Sequence, residues 1–103
     1  MPRIPTDSFL KFCKSHEGER ISTLNRGRQF TLRVIDDGLE FTPLSTNKPR
    51  RHTRPYVESV LDHFEQSGSF NPKHYQKSTA NASYQLALIH QYCNSLRSLS
   101  SCK

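Results

Sequence analysis

The residues best equipped for chemistry sit in one short stretch, KPRRHTR, Lys48 to Arg54, directly ahead of a well-patterned helix. The guanidinium groups of Arg50, Arg51 and Arg54 are planar donor forks that match phosphate oxygens. The open N–H groups and partial positive charge at a helix start add to the same attraction. Ser45, Thr46 and Thr53 offer hydroxyl donors to a phosphate backbone. Cationic side chains at that position oppose the macrodipole, by about 0.3 kcal/mol each, and a bound anion relieves the conflict. The expected chemistry is phosphate recognition by a loop comprising Lys48, Arg50, Arg51, His52, Thr53 and Arg54. The bland alternative is a solvated connection whose charge only keeps the chain in solution.

Catalysis and metal binding have weaker support. His52 beside Arg50 and Arg54 has the makings of a metal-free ribonuclease, with imidazole as base and guanidinium as charge stabiliser. No second residue is placed by spacing, so no catalytic residue is assigned and the chain reads as a non-enzyme. Cys13 and His16 have a two-ligand spacing for zinc, but a second pair exists only if His90 and Cys93 pack beside them. Cys13 and Cys93 read better as small core residues, so neither a metal nor a cofactor is expected. Glu58, Asp62 and Glu65 form a solvated acidic flank.

Phe70, Tyr75, Tyr84 and Tyr92 either line a cleft between the last helices or serve as core and rim. An aromatic surface of that kind suits a rival function, a protein–protein or homodimeric module. Mobile-element, restriction and toxin–antitoxin systems are settings for such a module.

The elements that position these residues follow from periodicity. Pro5, Thr6 and Asp7 precede Phe9, Phe12, Cys13 and His16, which have helical spacing, and Gly18 ends that short helix. Phe30, Leu32 and Val34 then alternate with polar residues, as do Leu39 and Phe41. Asp37-Gly38 is a two-residue hairpin signal that sets Val34 opposite Phe41. Arg26-Gly27 is a second turn, setting Ile21 opposite Leu32 and Thr23 opposite Phe30. The result is a three-stranded antiparallel meander over about 20–25, 28–36 and 39–44. Ile21, Phe30, Leu32, Val34, Leu39 and Phe41 face inward; Arg20, Gln29, Thr31, Arg33, Glu40 and Thr42 face out.

Pro55 opens a helix whose Val57, Val60, Leu61 and Phe64 form one stripe, with Gly68 as left-handed cap. Asn71-Pro72 starts a single turn, and Phe70 and Tyr75 pin it to the core. A last helix runs from about Thr79 to Leu96 with Ala82, Leu86, Ile89, Cys93 and Leu96 on one stripe. The expected fold class is α+β in the order αβββαα: two layers, with the meander covered by two C-terminal helices and a short N-terminal helix.

Bulk properties agree with one small domain spanning residues 1–103, with 1–5 and 98–103 as flexible ends. Fifteen Lys and Arg against nine acids give a net charge of +6, which draws polyanions. No apolar run approaches the ~20 residues of a spanning helix, so no membrane is expected. The polar N-terminus does not read as a signal peptide. Three widely spaced cysteines do not make a disulfide framework, which places the chain in a reducing cytoplasm. The inward-facing aromatics argue against a sheet that stacks bases, and a long gap between the last two helices argues against a helix-turn-helix.

Overall fold

Alternation in QFTLRVI and GLEFTP builds the central ladder of the fold. The computed structural model describes residues 3–76, 79 and 81–101, with side chains up to Leu96. Its helices are α1 (Thr6–Ser15), α2 (Arg54–Ser67) and α3 (Ala82–Ser101), with a single 3-10 turn at Pro72–Tyr75. Its strands are β1 (Ile21–Ser22), β2 (Gln29–Ile35), β3 (Gly38–Pro43) and β4 (Arg50–Thr53). The sheet order is β1-β2-β3-β4 and every pairing is antiparallel. The chain is thus an α+β domain with a four-stranded sheet and three helices.

The expected meander lacks one strand, and that strand comes from the basic stretch. Arg50–Thr53 pairs with β3, setting Phe41 opposite Arg50, Glu40 opposite Arg51 and Leu39 opposite His52. Nothing in RRHT has an apolar rhythm, because its single buried inward position is filled by histidine. An arginine-rich edge strand is also a poor template for further pairing.

Both turns fall near their expected places but close differently. The β2–β3 loop is Asp36-Asp37, so Val34 meets Leu39 and Leu32 meets Phe41. Gly38 is the first residue of β3, with φ +146°, and a Cβ there would lie 2.5 Å from the His52 carbonyl oxygen. Backbone crowding by β4 therefore decides which residue takes the position. The β1–β2 connection is a four-residue loop over 24–27, so Ile21 meets Phe30 rather than Leu32, and Thr23 N–H donates to the Arg28 carbonyl. Each register moves by two residues, which keeps every side chain on its expected face. Ile21, Phe30, Leu32, Leu39 and Phe41 are buried and Val34 is half-buried.

Three helices, rather than the two C-terminal ones, cover the inner face. α1 packs on β2 and α3 through buried Phe9 and Cys13, and α2 packs on β3 and β4 through Val57, Val60, Leu61 and Phe64. Gly68 ends α2 in the left-handed conformation, as its sequence position demands. α3 begins at Ala82 rather than Thr79, and Asn81 accepts the first amide bonds of its opening turn. Of the ends expected to be flexible, Met1, Pro2, Cys102 and Lys103 lie outside the described residues; Ile4 is buried in the core. No helix among the described residues is long and apolar enough to cross a membrane.

Candidate nucleic-acid interface

The six residues of the basic stretch are divided between environments. His52 was expected in a solvated loop, but it occupies the inner face of β4 and is fully buried. Its Nε2 donates to Gln85 Oε1 at 2.5 Å, and Gln85 Nε2 donates on to the Val57 carbonyl at 3.1 Å. Burial lowers the His52 pKa, with the Gln85 bond as a smaller opposing effect. An imidazole so enclosed cannot reach a phosphate or act as base toward an external ligand, which removes the ribonuclease constellation.

Arg54 is held by carboxylates, with Asp7 at 2.9 Å and Glu58 at 3.4 Å. Arg51 lies on the outer face with Asp37 at 3.7 Å. Thr53 is the residue before α2 and makes no side-chain cap bond. Within the basic stretch, only Lys48 and Arg50 are exposed cations without an ion pair to a described residue. The arginines at the helix start therefore already have counter-charges, which is the arrangement least suited to a phosphate.

The four aromatics do not share a cleft. Phe70 packs against Phe64 and His90, and buried Tyr75 lies on His63 with its hydroxyl donated to the Ser69 carbonyl at 2.7 Å. Tyr92 meets Phe9 and Phe12. Tyr84 alone of the four lines a surface cavity, while its ring contacts Phe30 and Phe41. Cys13 is buried and its thiol is pushed up to about 12, so it stays un-ionised. No group of three potential metal ligands occurs among the described residues.

That cavity is a cleft of about 530 Å³. One wall comes from the β1–β2 loop, with Asn25, Arg26 and Arg28, and another from the 3-10 turn, with Asn71 and Lys73. Ala82, Ser83 and Tyr84 close it with the first turn of α3, which holds no acidic residue. Among the described residues, the cleft thus presents three cations and a helix N-terminus, and no carboxylate lines it. Sequence motif reading missed Arg26, Arg28 and Lys73 because they are dispersed along the chain. The signal that finds them is the distribution of acids. All nine fall within 7–19, 36–40 and 58–65, leaving 20–35, 41–57 and 66–103 without one.

Topology turns this dispersion into a polarity. In an antiparallel meander the β1–β2 and β3–β4 connections share one end of the sheet, and the β2–β3 turn occupies the other. Arg26, Arg28, Lys48 and Arg50 lie at the first end, where Arg26 and Arg28 share the cleft with Lys73. Asp36 and Asp37 mark the second, where the Arg54 amide donates to the Asp37 carbonyl at 2.6 Å. Comparison with known proteins returns no counterpart, since no family model, curated protein or solved structure matches the chain.

Proposed function

We propose that the protein is a non-enzymatic nucleic-acid-binding module that holds the phosphate backbone at the loop end of its sheet. The contacts come from Arg26, Arg28, Lys48, Arg50 and Lys73, in place of the 48–54 stretch as a unit. The observation that supports this reading is five cations at the loop end of the sheet, none ion-paired among the described residues, three of which (Arg26, Arg28 and Lys73) line a cleft with no carboxylate among its described lining residues. Guanidinium and ammonium groups without counter-charges gain most from displacing the condensed cations of a polyanion.

The test is a salt series of binding to a labelled oligonucleotide, single-stranded and duplex. Each phosphate contact contributes about 0.7 to 0.9 to the slope of log affinity against log salt. Changing all five cations to Gln is expected to lower that slope by about 3.5 to 4.5 units and weaken binding at every salt concentration. Arg54→Gln, which removes a cation already paired with Asp7 and Glu58, is expected to leave the slope within about half a unit. An unchanged slope in the fivefold variant would overturn the proposal. Salt-insensitive self-association would instead favour the protein–protein module.

A further inference from the structure

We infer that the cleft seats one unpaired nucleotide, so that the module prefers single-stranded nucleic acid to duplex. This rests on the polyanion reading above and gives it a substrate class. A cleft of about 530 Å³ lies within the roughly 300–1,000 Å³ typical of small-molecule sites, large enough for a nucleotide unit. A paired base is held in its stack and cannot enter such a concavity, whereas an unpaired one can swing into it.

The chemistry of the walls is divided as a nucleotide is. Arg26, Arg28 and Lys73 supply positive charge for the phosphate, and the first turn of α3 adds its own partial charge. Tyr84 supplies an aromatic surface. Its ring is only half-buried, held at 4.9 Å edge-on by Phe30 and at 5.4 Å by Phe41, so it is fixed in place before a base arrives. Stacking on a pre-ordered ring suits single strands of any sequence. Asn25 and Gln76 bring side-chain amides, each able to donate and accept toward a base edge. Asn71 Oδ1 is occupied by the Lys73 amide at 3.0 Å, which leaves its NH₂ as a donor. The aromatics of the sheet face inward, so the stacking surface comes from the helical layer instead.

The experiment compares an oligothymidylate of about 12 residues with a duplex of equal length, at one salt concentration, by fluorescence anisotropy. The single strand is expected to bind about tenfold more tightly. Tyr84→Leu is expected to weaken single-strand binding about tenfold while leaving duplex binding and both salt slopes unchanged. Because Tyr84 also packs on Phe30 and Phe41, Ser83→Trp serves as the second variant. It fills the cleft from the first turn of α3 and should produce the same selective loss. Equal affinity for the two forms, or equal losses in both, would sink the cleft assignment and leave the backbone reading standing. Failure to bind either form would remove the backbone reading itself.

Discussion

At the scale of single residues, the buried pair His52 and Gln85 is the most demanding polar feature. The Gln85 amide donates to Val57, so its oxygen faces His52 and fixes the proton on Nε2. Nδ1 has no hydrogen-bond partner among the described residues, and the rings of Phe41 and Tyr56 lie against the imidazole. Protonating that nitrogen would place a charge in an apolar enclosure, which is why burial lowers the pKa. The unfolded chain takes up this proton near pH 6.5 and the folded chain only below that. The stability tied to neutral His52 is therefore complete above about pH 6.5, falls as the pH drops below it, and levels off beneath the folded pKa. Gln85→Leu should destabilise the fold by about 2 kcal/mol, because it leaves the imidazole N–H buried without an acceptor. Pairing it with His52→Leu should cost about 1 kcal/mol less than the sum of the two single changes. Urea unfolding at neutral and mildly acidic pH measures all of this. The double variant should also lose the part of the acid sensitivity that His52 carries.

At the scale of elements, the contact between β3 and β4 depends on one glycine. A Cβ at Gly38 would stand 2.5 Å from the His52 oxygen and 2.8 Å from the Arg54 nitrogen, at a φ that side chains rarely adopt. Both neighbours are backbone, so neither can rotate away. Gly27 has φ +61° with nothing near its missing Cβ, so it carries the conformational requirement alone. Gly38→Ala should therefore destabilise by about 3 kcal/mol or more and Gly27→Ala by about 1 kcal/mol, read from denaturation midpoints. Comparable losses at the two positions would mean that the strands part more easily than this contact implies. The same element shows where sequence periodicity stops informing. Phe30, Leu32, Leu39 and Phe41 announce their strands because apolar and polar residues alternate on a half-buried sheet. β4 gives no such signal, since its buried position is polar and its partner Gln85 lies in another element. The cleft was hidden for a related reason. Motif reading favours cations that are neighbours in the chain, and the structure pairs Arg51 and Arg54 of that cluster with carboxylates while assembling another group from the β1–β2 loop and the 3-10 turn.

At the scale of the whole molecule, the arrangement of charge bears on how fast a polyanion arrives. Asp36 and Asp37 are separated from Arg28 by the length of β2, about 25 Å at the usual rise per residue, within a longest extent of 42 Å. At physiological ionic strength the Debye length is about 8 Å, so those carboxylates are screened from a ligand at the far end. At about 0.01 M salt it is about 30 Å, and each of the two carboxylates then repels each nearby phosphate by about 0.07 kcal/mol. Summed over several phosphates, that slows encounter by a few-fold. Asp36→Asn with Asp37→Asn should accordingly raise the association rate for a labelled single strand about two- to fivefold at low salt. It should leave the rate unchanged at about 0.15 M, and the dissociation rate unchanged throughout. Stopped-flow mixing at the two salt concentrations separates these cases. A faster association that persists at 0.15 M would mean that the ligand passes close to the β2–β3 turn. The outer face of the sheet, where Arg33 and Arg51 flank Glu40, would then be the surface in contact.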